Sequence, residues 1–114
     1  MPHFVIEQGN ALLTKDDRHD VMHIAGQIGA NCGFITATDI KIRIVDFTDF
    51  IHLDGRKSFL HITVHLLSGR TGAQKVALTS ALREALVERF PNVDSLSFSC
   101  TDMDPLSYKK HLRP

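Results

Sequence analysis

Hydrophobic and polar positions in the first half of the chain follow the order strand, helix, strand. Residues 2–8 predict a strand, which the turn signal Gly9-Asn10 ends. Residues 15–30 predict a helix, because their apolar positions recur at helical spacing and acidic side chains stand near the start. Those apolar positions are Val21, Ile24, Ala25 and Ile28. Residues 39–47 alternate between apolar and polar side chains, which predicts a half-buried strand.

The second half of the chain repeats this order. Residues 58–67 and 95–103 alternate between apolar and polar side chains and predict two more strands. Residues 72–90 between them have the apolar spacing of a helix. Thr71 and Gln74 stand at the N-cap to N3 spacing of a capping box, which marks where this helix begins.

Two strand-helix-strand repeats, over about 2–47 and 58–103, predict an α/β (α+β) fold in a single domain that spans residues 1–114. The strands form one four-stranded sheet, and the two helices cover one of its faces. The other face is rich in Lys, Arg, His, Ser and Thr. Because helices cover only one side, this polar face is left to water or to another subunit. A self-associating chain would pack these faces around a shared axis.

Composition excludes several kinds of partner. The 114 residues are 43% hydrophobic and hold thirteen basic and thirteen acidic residues, so there is no basic footprint for nucleic acid. No apolar run approaches the roughly 20 residues that span a bilayer, and the start lacks the pattern of a signal peptide, so we expect a cytoplasmic protein with no membrane contact. The two cysteines, Cys32 and Cys100, are expected to be free thiols in a reducing compartment.

Two motifs carry a resemblance to a known family. The start Pro2-His3-Phe4-Val5-Ile6-Glu7 and the run Ser68-Gly69-Arg70-Thr71-Gly72-Ala73-Gln74-Lys75 resemble the tautomerase superfamily. Over nearly the whole chain the layout is most similar to the 5-carboxymethyl-2-hydroxymuconate isomerases. Residues 61–108 also resemble one subunit of 4-oxalocrotonate tautomerase.

The resemblance implies a fold, an assembly and an activity. The fold is a homotrimer of double β-α-β subunits. The activity is that of an isomerase without cofactor or metal, which shifts a proton between the enol and keto forms of a small unsaturated 2-hydroxy or 2-oxo carboxylate. For the hydroxymuconate isomerases this activity belongs to aromatic catabolism.

Pro2 is the candidate catalytic residue, as general base and acid. An α-amino group titrates near ~7.7–8.0, and a partly buried, cation-lined site lowers that value toward neutrality, where a general base works best. Only a free amine has this basicity. Behind Met1 the Pro2 nitrogen is an amide, so the role depends on removal of Met1. The alternative is that Pro2 only opens an edge strand.

Arg70 is the first candidate for binding a substrate carboxylate. It stands in a turn before the predicted helix, where its guanidinium and the first free amides of the helix can both face an anion. The alternative is a solvated arginine that covers the turn.

Lys41, Arg43 and Tyr108 are further substrate-binding candidates. Lys41 and Arg43 share a strand face, and the resemblance gives the position of a catalytic arginine to Lys41, with Arg43 as a possible substitute. Lysine lacks the bidentate fork of arginine. By resemblance Tyr108 walls the active site. The alternatives are ordinary polar-face residues for the first two and an aromatic anchor of the basic tail for Tyr108.

Histidine spacing and the N-terminus bear on two other hypotheses. His61 and His65 share a strand face about 13 Å apart, too far to bind one metal ion together. We expect them to be hydrogen-bonded on a subunit-facing surface. The alternative function is a non-catalytic binding or assembly protein of the same fold, which a retained Met1 and the lysine at position 41 favour.

Overall fold

Strands and helices occur in the order that the hydrophobic pattern predicts. A computed structural model describes all 114 residues. Its elements are β1 (His3–Gly9), α1 (Lys15–Asn31), β2 (Lys41–Asp46), β3 (Phe59–Leu67), α2 (Gly72–Arg89) and β4 (Ser95–Met103). The structure therefore confirms the two β-α-β halves, and most boundaries agree within one residue.

Strand β2 is shorter than the alternating pattern of residues 39–47 predicts. The chain before it folds into a 3-10 turn, Ala37–Asp39. Hydrogen bonding to β1 begins where the Lys41 amide donates to the Pro2 carbonyl oxygen at 3.0 Å. Alternation alone does not show where the turn ends, because the last residue of a turn and the first residue of a strand can be of the same type.

The four strands form one mixed sheet in the order β2-β1-β3-β4. Each half contributes a parallel pair, β1 with β2 and β3 with β4, and the central strands β1 and β3 run antiparallel. His3, at the start of β1, lies opposite Lys41 of β2 on one side and His65 of β3 on the other. The antiparallel centre joins the two halves into one sheet.

The hydrophobic core lies between the two helices and one face of the sheet. Both central strands bury every second side chain there, as the alternation predicts. The fully buried core side chains are Phe4, Ile6, Val21, Ala25, Leu60, Ile62, Val64, Leu66, Leu78, Leu82 and Leu86. Each buried Leu, Ile or Phe contributes roughly 1.5–3 kcal/mol through the hydrophobic effect. The helices thus cover one face, and the opposite face carries the polar side chains.

Both helices begin with a capping box. The Thr71–Gln74 pair caps α2 as predicted, with the Gln74 amide 3.1 Å from the Thr71 hydroxyl. Thr14 and Asp17 form a second box on α1 that the sequence analysis missed. Asp17 also accepts from Arg89 of α2 at 2.8 Å, which ties the helices together and lowers the pKa of the Asp17 carboxyl. Neither helix combines the length and the apolar character that crossing a membrane requires.

Candidate active site

One end of the sheet collects the residues that carry the predicted chemistry. Strands β1 and β2 begin there, and β3 and β4 end there, as the pairing of His3 with Lys41 and of Leu67 with Met103 shows. Pro2 precedes β1 directly, and Arg70 follows the end of β3. The parallel and antiparallel registers therefore gather residues from distant parts of the chain at this end.

The amino terminus is held among cations. The Met1 amine donates to the Asp39 carbonyl oxygen at 3.0 Å, and Lys41 Nζ donates to the same oxygen at 2.9 Å. Burial first, then the hydrogen bonding and charge of Lys41 and the charge of Lys110, lower the pKa of the Met1 amine from 8.0 to about 6. Pro2 is fully buried, and its nitrogen is part of the Met1–Pro2 amide.

Arg43, His3 and Tyr108 form a line of hydrogen-bonded groups on the polar face of the sheet. Arg43 Nη1 lies 3.1 Å from His3 Nδ1, and His3 Nε2 lies 3.0 Å from the Tyr108 hydroxyl oxygen. The rings of His3 and Tyr108 also meet edge to face, with centroids 5.9 Å apart. Tyr108 therefore fastens the C-terminal tail to the first strand, beside the amino terminus.

Arg70 is committed in part to the backbone. Its Nη1 group donates to the Leu67 carbonyl oxygen at 3.2 Å and its Nη2 group to the Phe34 carbonyl oxygen at 3.3 Å. These two bonds join the end of β3 to the segment that follows α1. A guanidinium has five N–H donors, so three remain for a ligand.

His61 and His65 lie on the polar face of β3, as the alternation predicts. His61 Nδ1 is 2.6 Å from the Ser97 hydroxyl oxygen on β4, and His65 lies opposite His3. The hydrogen bond expected of His61 is therefore confirmed, whereas the side chain of His65 makes no hydrogen bond within the chain.

The fold can be compared with solved structures. The structure of Pt0534 inactivated by 2-oxo-3-pentynoate superposes with a TM-score of 0.83 at 12% identity, over 95% of this chain and 91% of that one. A fused 4-OT, described as a wild-type asymmetric trimer, gives 0.79 at 17% identity, over 95% and 91%. A 5-carboxymethyl-2-hydroxymuconate isomerase from Deinococcus radiodurans R1 gives 0.75 at 16% identity, over 98% and 90%. The chain has the tautomerase fold.

These identities are low, so the likeness establishes the tautomerase fold and nothing finer. No protein-family model and no curated protein matches the sequence. The activity of this chain must therefore be argued from its own residues.

Two contributors to this end of the tautomerase fold were missed by the sequence analysis. His3 was quoted only as part of the N-terminal motif, although it is in phase with Val5 and Glu7 on the polar face. That phase was the signal that could have identified it. The Asp39 carbonyl, which holds both the amino terminus and Lys41, carries no sequence signal, because it is a backbone group.

A separate apolar groove of about 310 Å³ lies between α1 and α2. Its lining is formed by Ile28, Cys32, Ala77, Leu78 and Ala81, with the amides of Gln27 and Asn31. None of these side chains is cationic, so a carboxylate would find no counter-charge there. The sheet end with Lys41 and Arg43 is the better candidate for an anionic substrate.

Proposed function

We propose that this chain is a cofactor-free tautomerase, active as a cytoplasmic homotrimer, with the amine of Pro2 as its general base and acid once Met1 is removed. Its substrate class is the small unsaturated 2-hydroxy or 2-oxo carboxylate, of the 5-carboxymethyl-2-hydroxymuconate type. The fold admits such an activity, since the similar structures include an isomerase of that name.

The observation that carries the proposal is the setting of the amino terminus. The amine that occupies it is partly buried and shares one carbonyl oxygen with the ammonium group of Lys41. Two adjacent cations repel each other, which favours the neutral amine. After removal of Met1, the amine of Pro2 would lie near the same cations, and its pKa would fall toward neutrality, where a general base works best.

The proposed reaction conserves protons and electrons. The neutral Pro2 amine accepts the hydroxyl proton of the enol, and the electron pair of that O–H bond stays on the oxygen, which gives an enolate. As this pair forms the C=O bond, the electron pair of the C=C bond takes a proton back from the protonated amine and forms a C–H bond. A positioned acid-base group of this kind contributes typically 10²–10⁴-fold to a rate.

Cationic side chains at this end of the sheet supply the proposed carboxylate contacts. Lys41 lies nearest the amino terminus through Asp39, Arg43 lies along the same strand face, and Arg70 keeps three N–H donors free of backbone carbonyls. Charge-assisted hydrogen bonds to a carboxylate are about twice as strong as neutral ones. A dicarboxylate would engage more of these groups than a monocarboxylate.

Exposed apolar side chains support the trimer. In the segment between β2 and β3, Leu53 is 95% and Ile51 81% exposed, and no helix covers the polar face of the sheet. A neighbouring subunit would bury both features. The fused 4-OT structures with this fold are described as trimers.

Sedimentation equilibrium combined with kinetics tests the proposal. We expect a mass of three times 12.7 kDa and turnover of phenylpyruvate enol or a hydroxymuconate-type enol without added metal or cofactor. The kcat/KM of the Met1-free protein should rise with pH through a group that titrates below the ordinary α-amino value of ~7.7–8.0. The proposal would be contradicted by a monomer at micromolar concentration, or by a Met1-free trimer that turns over neither enol.

The burial of Met1 favours one second candidate, a non-catalytic binding protein of the same fold. Met1 as a residue is only 8% exposed and its amine is hydrogen-bonded, so the residue is folded into the structure. For this candidate the protein isolated from its native source keeps Met1 and turns over no enol. Intact-mass analysis of that protein, combined with the same assays, separates the two functions.

A further inference from the structure

We propose that His3 is a positioning residue of this site, which holds the Tyr108 hydroxyl as a hydrogen-bond donor for an oxygen of an anionic ligand. The inference rests on the proposed function only where that ligand is a carboxylate enol. Its basis is the line of contacts from Arg43 through His3 to Tyr108, with distances of 3.1 and 3.0 Å.

The direction of each hydrogen bond in this line is fixed by arginine. A guanidinium has donors only, so His3 Nδ1 must accept the hydrogen bond from Arg43. The neutral ring then carries its proton on Nε2, and that N–H donates to the Tyr108 oxygen. The hydroxyl proton of Tyr108 is therefore free to be donated, and no group of the chain accepts a hydrogen bond from it.

The charges around His3 keep the ring neutral. Burial lowers its pKa first and the charge of Arg43 next, and Lys41, the amino terminus and His65 lower it further whenever they are charged, while Tyr108 meets the ring through a hydrogen bond. Because the pKa lies below 6.5, the ring is neutral at pH 7 and gains its proton only as the pH falls through the lowered value. A protonated ring has no lone pair for Arg43, so acid breaks the line at that contact.

The C-terminal turn holds Tyr108 where His3 can reach it. The Tyr108 amide donates to the Asp104 carbonyl oxygen at 3.1 Å, and Tyr108 is half-buried within an otherwise exposed tail. The contact joins residues 105 positions apart. Loss of the His3 bond would therefore free the tail as well as the hydroxyl, and the site would lose an oriented donor next to its cations.

Tyrosine spectroscopy can follow this residue alone, because Tyr108 is the single tyrosine and the chain has no tryptophan. We expect Tyr108 fluorescence to change in one step below pH 6.5, as His3 gains its proton. His3→Gln retains an amide donor and acceptor spaced like the two ring nitrogens, so it should keep the neutral-pH signal and abolish the step. His3→Leu should give the signal of a solvated tyrosine at every pH, and His23→Gln on α1 is the matched control.

Nitrogen NMR of the folded wild-type trimer reads the tautomer directly. We expect a proton on Nε2 and an unprotonated Nδ1 at pH 7. Binding of maleate, a dicarboxylate probe, should weaken about tenfold in Tyr108→Phe and in His3→Leu, the change that follows loss of one hydrogen bond to a charged group. His3→Gln should bind maleate close to the wild-type value.

The outcomes separate this inference from the proposed function. Any one of three results would overturn the role of His3, even in an active enzyme. These are a ring protonated on Nδ1 at pH 7, a Tyr108 fluorescence signal that is unchanged in His3→Leu, and equal maleate affinity in all variants. The protein could instead show the expected tautomer, fluorescence step and maleate affinities but turn over no enol. That result would support the role of His3 and contradict the proposed tautomerase activity. If His3→Leu fails to fold, the wild-type tautomer and the His3→Gln titration still decide.

Discussion

Lys41 and the amino group of Met1 are held by one atom, the Asp39 carbonyl oxygen, at 2.9 and 3.0 Å. Two cations on one oxygen are a costly arrangement unless one of them gives up its proton. The pKa of the Met1 amine is lowered from 8.0 to about 6, so the amine is the group that becomes neutral. This pair links the basicity of the amino terminus to the identity of residue 41.

Replacing Lys41 should make the amino terminus more basic. In Lys41→Met the pKa of the Met1 amine rises from about 6 toward its ordinary value of 8.0, because a hydrogen-bonded neighbour and its charge are removed. The pH dependence of α-amine acetylation, read by mass spectrometry, measures this change. Lys109→Met in the exposed tail is the control and should leave the pKa where it is. The same pKa in Lys41→Met and wild type would show that Lys41 has no part in setting the amine's basicity.

Arg70 should contribute to stability as well as to binding. Arg70→Ala removes two hydrogen bonds to carbonyl oxygens, of Leu67 and Phe34, so we expect the free energy of unfolding in urea to fall by about 1–3 kcal/mol. Turnover of a dicarboxylate enol should fall by a factor that corresponds to ~2–4 kcal/mol. Arg83→Ala, on the exposed face of α2, should change neither quantity.

A loss of stability without a loss of kcat/KM in Arg70→Ala would make Arg70 a structural residue only. A loss of kcat/KM in a fully stable variant would show that its backbone contacts are dispensable.

Close packing of α1 on the sheet should make Gly29 sensitive to substitution. A Cβ at Gly29 would lie 2.8 Å from Phe4 Cζ, and Phe4 is fully buried, so its ring has no room to move. We expect Gly29→Ala to lower the free energy of unfolding by about 1–3 kcal/mol. Gly72→Ala is the matched control, since a Cβ there meets no atom within 4 Å, and it should be neutral or stabilising by up to ~1 kcal/mol. Equal stability of the two variants would contradict this account of helix packing.

Local periodicity was sufficient to predict the secondary structure. Alternation in residues 58–67 and 95–103 and helical spacing in residues 72–90 report which side of an element is buried, and that information lies within a few neighbouring residues. The sheet face, the helix layer and the α2 capping box all follow from it. Of these, only the start of β2 was misjudged by more than one residue.

The contacts at the candidate site could not be predicted in this way. His3 meets Tyr108 across 105 positions, and Arg70 meets the Phe34 carbonyl across 36. Such pairs depend on how the two halves join in the sheet, which no short window of sequence contains. Arg70 and Tyr108 could therefore be predicted from the sequence as candidates without their partners, and His3 could be given no role.

The state of the amino terminus tests the central claim most directly. One preparation, separated into chains that retain Met1 and chains that begin at Pro2, should show enol turnover only in the second fraction, since an amide nitrogen has no basic lone pair. Intact mass identifies each fraction, and both should have the same sedimentation mass and circular dichroism. Pro2→Ala, processed in the same way, should keep part of the rate through its primary amine. Equal turnover in both fractions would contradict the account, because the Pro2 nitrogen would then have no part in the reaction.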